Sequence, residues 1–261
     1  MDAKRAESIL GVLYSLTAIF TTISIVCLVI PWQHWSRTLD NCIDVDCGCI
    51  LYGRTTFSTL FGGDVKICHF GIYSLTPIFI IGLCLAIYHG YRSCIPKDFD
   101  EPRITSRRRN SIDNRDFMRG DVIVIRRKQR QPFKQWILAS FLAALLGFLS
   151  LAHAIIITDG YYKTCEQYKR NMVKLLGSRG RELQAIHNRL SCGAIFDFMD
   201  YIQPDSNNWR RGDEINTGLS LQLSIICTWF NFFTWILIFT INFIMARRRA
   251  NNAGEKFCCF S

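Results

Sequence analysis

The chain has 261 residues, 49% of them hydrophobic and 20% charged, and a formal net charge of +10 at pH 7. Its apolar residues are gathered in long blocks, which argues against an ordinary soluble pair of domains. The basic excess does not indicate nucleic-acid binding either, since the basic runs adjoin these blocks and lack interleaved aromatic residues.

Residues 1–8 form a short charged start ahead of the first apolar block, as in a secretory signal peptide. The apolar run that follows exceeds the roughly 7–15 residues of a signal h-region, and no A-x-A-like cleavage site comes after it. We therefore expect an uncleaved transmembrane anchor and a cytosolic N-terminal segment.

Four apolar blocks are long enough to cross a bilayer as helices. They cover residues 9–32, 70–91, 136–158 and 217–245, and none contains Asp, Glu, Lys or Arg. A spanning helix needs roughly 20 apolar residues, because lipid offers no partner for a bare backbone N–H or C=O. The sequence predicts four transmembrane helices, with a kink in the second at Pro77.

The distribution of basic residues predicts the orientation of these helices. Residues 1–8, the middle loop 92–135 and the tail 246–261 carry 19 of the 31 Lys and Arg residues and the whole excess charge of +10. Both termini and the basic middle loop are expected in the cytosol. Loops 33–69 and 159–216 are then expected to face the lumen or the outside.

The two outer loops contain six cysteines: Cys42, Cys47, Cys49, Cys68, Cys165 and Cys192. An even number of cysteines in an oxidising compartment predicts three disulfides, with their pairing left open. The alternative is a zinc site built from the first four of these cysteines, or from three of them and His69, although C-x-C is a poor match to the usual knuckle spacing. The predicted fold is an all-α membrane protein with four transmembrane helices and disulfide-braced outer loops.

The third loop has the pattern of a small disulfide-held unit. Leu183, Ile186 and Leu190 lie at helical spacing and predict a short amphipathic helix leading into Cys192. The apolar run AIFDFMDYI follows. Such a surface is suited to contact with a partner or with the first loop.

Polar side chains inside the predicted transmembrane helices are candidates for a function. His153 is a candidate for a proton-handling role, and we interpret it instead as a neutral imidazole, hydrogen-bonded near the outer boundary. Ser224, Thr228, Asn231 and Asn242 lie on one heptad-like stripe and are expected to bond to neighbouring helices. A polar pore lining, as in a subunit of a channel or transporter, is the alternative for this stripe.

The middle loop is rich in charge and short of large apolar clusters, so we expect most of it to be disordered or loosely held at the membrane surface. Its basic clusters should be drawn to anionic lipid head groups. Arg108 and Arg109 ahead of Ser111 form a pattern that basophilic kinases recognise. Phosphate on Ser111 would subtract charge and loosen the loop from lipid.

Three further cysteines lie on the predicted cytosolic side, where disulfides are not expected. Cys94 follows the second helix, and Cys258 with Cys259 lies in the basic tail. Juxtamembrane cysteines are candidates for palmitoylation. The terminal CCFS also fits a prenylation signal, but Phe260 is a poor aliphatic residue and four spans gain little from a prenyl group.

Several short motifs are similar to those of one known family. They are Cys49-Ile50-Leu51-Tyr52-Gly53, Cys68-His69-Phe70 at the start of the second helix, Tyr91-Arg92-Ser93-Cys94-Ile95 at its end, and Cys165 with Cys192 in the third loop. In order and position these resemble the transmembrane protein 179 family. The resemblance implies a four-pass protein of the plasma membrane or of secretory or endosomal vesicle membranes. It also implies the pairs Cys49–Cys68 and Cys165–Cys192, with Cys42–Cys47 as an additional local bridge.

The sequence carries no P-loop, H-E-x-x-H, G-x-S-x-G or Gly-rich dinucleotide motif. No catalytic, cofactor-binding or metal-binding residue is therefore assigned, and the resembled family has no established catalytic activity. The predicted function is that of a non-enzymatic membrane organising, trafficking or adaptor component in contact with the lipid bilayer. The channel or transporter subunit remains the alternative.

Overall fold

The computed structural model describes residues 3–40, 42, 46–56, 59–94, 104–105, 124–125, 133–175, 177, 180–202 and 215–252. In this part of the chain the elements are α1 (Ala3–Leu39), β1 (Cys49–Thr56), β2 (Thr59–Gly63), α2 (Val65–Tyr73), α3 (Leu75–Cys94), β3 (Ile104–Thr105), β4 (Val124–Ile125), α4 (Phe133–Leu175), α5 (Arg181–Arg189), α6 (Cys192–Ile202) and α7 (Thr217–Asn252).

Four segments of the described chain are helical, long and apolar enough to cross a membrane. They are Arg5–Arg37, Val65–Ser93, Gln135–Lys174 and Thr217–Arg248, and each contains one of the predicted apolar blocks. The predicted helical class with four spanning helices is confirmed, and the chain is a multi-pass integral membrane protein.

The helices continue well past the apolar blocks. The longest, α4, has 43 residues, which corresponds to about 65 Å at a rise of about 1.5 Å per residue, roughly twice the thickness of a hydrocarbon core. The C-terminal part of α4 therefore projects from the membrane. It provides the support on which the elements outside the bilayer pack.

The second spanning segment is broken between α2 and α3 at Ser74. The last helical bond of α2 is donated by Ser74 N–H to the carbonyl of Phe70. Pro77 follows in the first turn of α3, where its missing N–H cannot bond to the carbonyl of Tyr73 and its ring crowds that carbonyl. The helix is thus interrupted about one turn ahead of Pro77, the residue at which the sequence predicts a kink.

The four spanning segments pack in the spatial order α3, α1, α7, α4, with few contacts between α3 and α4. Two hydrophobic cores lie along this bundle. One contains Tyr14, Trp136 and Trp235 near the end where α1 begins and α7 ends, which we call the tail end. The other contains Trp35, Ile157 and Phe196 and joins the opposite ends of the helices to β1 and α6.

At that opposite end, β1, β2, α5, α6 and residues 159–175 of α4 form a compact unit, which we call the cap. The strands β1 and β2 pair antiparallel, with an irregular register between Cys49 and Arg54. This hairpin was not predicted. The helix predicted before Cys192 is confirmed as α5, which includes Leu183 and Ile186 but ends one residue before Leu190. A second ladder joins two residues of β3 to two of β4, from Ile104 to Ile125 and from Thr105 to Val124.

Two consecutive glycines allow the hairpin to close. A Cβ on Gly62 would lie 2.0 Å from the carbonyl oxygen of Cys47, and one on Gly63 would lie 2.0 Å from that of Leu51. No side chain fits at either position without moving backbone. The backbone of β2 therefore lies directly against the carbonyls of Cys47 and Leu51. In this arrangement Cys49 is close enough to Cys68 for a disulfide.

Candidate functional site

Three disulfides brace the cap end of the bundle. They join Cys42 to Cys47, Cys49 to Cys68 and Cys165 to Cys192, with sequence separations of 5, 19 and 27 residues. This is the pairing that the family resemblance implies. The four cysteines of the alternative zinc site form two of these disulfides, so their sulfurs are not thiolate ligands here.

Thr164 of α4 fastens β1 to the projecting helix. Its Oγ1 accepts from the N–H of Gly53 at 2.9 Å and lies 2.9 Å from the carbonyl of Ile50, to which it donates. A second contact runs from Thr55 Oγ1 to the carbonyl of Gln167 at 2.8 Å. Two backbone groups of β1, the N–H of Gly53 and the carbonyl of Ile50, are thus bonded to α4 and are not open to another strand.

Tyr52 occupies the irregular part of β1 in a strained conformation. Its φ of +58° lies in the left-handed region, which is rare for a bulky residue. The ring lies over Gly160, where an added Cβ would be 2.8 Å from Tyr52 Cε2. The absence of a side chain at Gly160 thus makes room for the Tyr52 ring.

The hydroxyl end of Tyr52 faces a charged pair on α4. Lys163 Nζ lies 5.0 Å from the ring centroid and 2.8 Å from Asp159 Oδ2. Partial burial, together with the hydrogen bond and negative charge of Asp159, raises the pKa of Tyr52 to about 12. Tyr52 is therefore a neutral phenol at physiological pH and acts as a donor to the carboxylate.

A hydrogen-bonded group of three side chains ties the cap to two spanning helices. Trp35 Nε1 of α1 donates to Thr217 Oγ1 at 2.8 Å, and that hydroxyl donates to Asp200 Oδ1 of α6 at 2.6 Å. The N–H of Thr217 donates to Asp200 Oδ2 at 2.8 Å. Asp200 thereby caps the N-terminus of α7, where a negative charge is favourable.

The environment of Asp200 opposes its ionisation. Burial raises the pKa of this carboxyl above its ordinary value, and the two hydrogen bonds from Thr217 only partly offset that effect. Asp200 was not singled out from the sequence, although an aspartate within the apolar run AIFDFMDYI is a signal that could have indicated it.

Within the bundle, the predicted polar stripe of α7 divides into side chains with different partners. Ser224 Oγ lies 2.9 Å from Ser24 Oγ of α1, and Asn231 Nδ2 donates to Ser150 Oγ of α4 at 3.2 Å. Thr228 bonds to the carbonyls of Ser224 and Ile225 in its own helix. Asn242 donates to the carbonyl of Ile238 and also bonds to the side chain of Tyr14. The stripe therefore reaches α1 and α4.

His153 is fully buried and holds the break in the second segment. Its Nε2 lies 2.8 Å from the carbonyl of Gly71, which can only accept, so Nε2 carries the proton. Gly71 lies three residues before the break at Ser74, in the last turn of α2, where the end of a helix frees carbonyls. Among the described residues, His153 Nδ1 and Asn231 Oδ1 have no hydrogen-bond partner.

An ion pair at the tail end joins α1 to α3. Arg92 Nη2 lies 3.3 Å from Glu7 Oε1, and the Glu7 side chain is 1% exposed. Next to it His89 stacks on Tyr14, with ring centroids 5.4 Å apart. The sequence placed Glu7 in the charged N-terminal segment. Its burial becomes visible only from the packing of α3 against α1.

Several predicted modification sites fall outside the described structure. Ser111, Cys258 and Cys259 lie outside the described residues, and Cys94 is described as the last residue of α3 without its side chain. No family model, curated protein or solved structure matches this chain. Its function is therefore inferred from the geometry of the cap and the bundle.

Proposed function

We propose that this protein is a non-enzymatic membrane organiser or adaptor whose cap is its recognition surface. The main observation that supports this proposal is that three disulfides and a shared hydrophobic core fix the cap to the ends of the spanning helices. A preorganised surface loses little conformational entropy on binding, which suits a protein partner. The polar contacts between helices support this role, because they stabilise the bundle.

The face of the cap that suits a partner is the exposed side of α4. The pairs Asp159–Lys163 and Glu166–Arg170 lie four residues apart on this helix, and their side chains are about half exposed. Tyr162 is 60% exposed beside them. Aromatic residues and arginine are enriched at protein interfaces, and charged pairs suit the polar rim that surrounds an interface core.

Cross-linking in intact membranes, followed by extraction in mild detergent, tests this function. We expect other membrane proteins to co-purify, and repeated recovery of the protein alone would contradict the proposal. The matched variant combines Glu166→Arg with Arg170→Glu, which keeps an ion pair at the same spacing but reverses its direction. Partners that contact this face should be lost while all three disulfides persist.

The orientation proposed for this function places the cap outside the cytosol, in the plasma membrane or in secretory or endosomal vesicle membranes. Disulfides at the cap end and the exposed Arg5, Arg247 and Arg248 at the tail end support it. Impermeant maleimide on sealed cells or vesicles should leave Cys94 unlabelled. Labelling of Cys94 without permeabilisation would reverse the orientation.

On the cytosolic side we propose that the middle loop binds anionic lipid, with Ser111 phosphorylation weakening that contact. Cys94, Cys258 and Cys259 are the proposed palmitoylation sites, and the chain is proposed to be related to the transmembrane protein 179 family. Binding to vesicles with and without phosphatidylserine checks the first of these. Equal binding to both vesicle types would reject it.

A specific observation favours a second candidate function, a channel or transporter subunit. The buried acceptors His153 Nδ1 and Asn231 Oδ1 lack partners among the described residues, as atoms that line a hydrated cavity would. In reconstituted vesicles, Asn231→Leu should then change ion or solute flux. Flux equal to that of the unmodified protein rejects this role for the α7 stripe.

A further inference from the structure

The disulfide between Cys42 and Cys47 contains the most exposed of the six bridging cysteines. Cys42 is exposed. By contrast, Cys49, Cys68 and Cys165 are at most 1% exposed, so the other two bridges each have at least one fully buried member. Thiol–disulfide exchange requires a thiolate to reach a bridging sulfur directly. Cys192 is only partly exposed, so Cys42 is the most exposed of the bridging cysteines and the most accessible point of attack.

The two ends of this bridge are unlike each other. Cys47 is 4% exposed, and its N–H donates to Asp40 Oδ1 at 3.1 Å. Its carbonyl lies against Gly62, at the close approach that only glycine permits. These contacts do not involve the sulfur, so Cys47 stays in place when the bridge opens.

The neighbouring cap is also held independently of this bridge. The N–H of Val65 donates to the carbonyl of Asp46 at 3.3 Å. Two residues beyond Cys47, Cys49 is bonded to Cys68. Opening the bridge between Cys42 and Cys47 therefore leaves the hairpin attached to α2, and exchange is compatible with an intact cap.

We propose that Cys42 is a reversible thiol-exchange site for low-molecular-weight thiols of the glutathione type. The incoming thiolate attacks Cys42 Sγ and forms a mixed disulfide there, while the bond to Cys47 breaks. Cys47 leaves as a thiolate and takes a proton from water, so the incoming thiol is oxidised as Cys47 is reduced. Because Cys47 remains beside Cys42, it can attack the mixed disulfide, expel the small thiol and restore the bridge.

The test uses the full-length protein in detergent, with reduced glutathione as the probe. Samples taken over time are alkylated, and the cysteine peptides are identified by mass spectrometry. We expect a glutathione adduct on Cys42 and alkylation of Cys47. This reaction should be at least about tenfold faster than the opening of the other two bridges, because a local unfolding step that costs about 1.4 kcal/mol and exposes their buried sulfurs would slow their reaction by this factor. Three bridges that open together, or an adduct located on Cys47, would overturn the proposal.

A matched pair of variants tests the asymmetry separately. Cys47→Ala leaves Cys42 as a free thiol, and Cys42→Ala leaves Cys47, yet both lack the same bridge and so lose the same constraint. With oxidised glutathione, Cys47→Ala should form its adduct at least about tenfold faster, since the free thiol of Cys42→Ala is buried. Equal rates would refute the assignment of Cys42 as the exchange site. The inference stands apart from the proposed organising function, because this measurement needs no partner.

Discussion

Removing the bridge between Cys165 and Cys192 should destabilise the cap more than removing the bridge between Cys42 and Cys47. The two bridges close loops of 27 and 5 residues. The loss of chain entropy on cross-linking the unfolded cap then corresponds to about 3.5 kcal/mol for the longer loop and about 2 kcal/mol for the shorter one. Each double variant also leaves a sulfur-sized gap at a buried cysteine, Cys165 in one and Cys47 in the other, so this cost is common to both and the loop entropy sets the difference.

Guanidinium titration in a mild detergent, followed by tryptophan fluorescence, measures this difference. Trp35 is a suitable reporter, because it is buried at the cap end and bonds to Thr217. The double variant Cys165→Ala with Cys192→Ala should lose at least about 1.5 kcal/mol more unfolding free energy than Cys42→Ala with Cys47→Ala. Far-UV circular dichroism should report little change in helix content, since the spanning helices stay in the micelle.

A control separates the bridge from the sulfur atom. Cys84 is a free, exposed cysteine of α3, so Cys84→Ala removes a sulfur without opening any loop. Its unfolding free energy should equal that of the unmodified chain. Equal losses in the two double variants, or a larger loss for Cys42 and Cys47, would refute the loop-entropy reasoning.

Three further outcomes depend on single contacts. Thr217→Val should cost about 1–3 kcal/mol in thermal unfolding, because it leaves buried Trp35 Nε1 and one Asp200 oxygen without their partner, and Thr217→Ser should recover most of that. His153→Leu should destabilise the bundle by about 1–3 kcal/mol in the same assay, since the Gly71 carbonyl loses its donor, whereas His153→Gln offers an amide N–H in its place; equal losses would exclude a role for that hydrogen bond. Burial raises the pKa of Asp200 above its ordinary value of 3.8, so the folded state holds this proton more tightly than the unfolded state does. The stability gained from the protonated carboxyl is complete below pH 3.8 and is lost as pH rises through the pKa of the folded state. The unfolding free energy of the unmodified chain relative to Asp200→Asn should therefore fall as pH rises above 3.8, and a rising difference would reverse the sign of the assignment.

The sequence was sufficient for the membrane-spanning body of the protein. Lipid cannot satisfy bare backbone groups, so four charge-free apolar blocks leave helices as the arrangement available to this chain. The amphipathic spacing of Leu183 and Ile186 was likewise enough to predict α5. These are local properties that depend on composition and period within one segment.

The hairpin and the contacts of the cap were decided by tertiary structure. Gly62 and Gly63 do not stand out in the sequence. The requirement for glycine at these positions becomes visible only where the backbone carbonyls of Cys47 and Leu51 approach them. The left-handed conformation of Tyr52 likewise depends on Gly160, more than a hundred residues further along the chain. A single-segment pattern carries no information about such approaches.

The roles of the polar residues depended on which helices are neighbours. The sequence placed Asn231 and Ser224 on one stripe, but only the packing of α7 between α1 and α4 gave them Ser150 and Ser24 as partners. The packing of α3 against α1 likewise buried Glu7 against Arg92. Length and hydropathy thus determined that this chain crosses the membrane, whereas long-range packing decided which polar groups pair, because a hydrogen bond depends on distances between segments that periodicity does not encode.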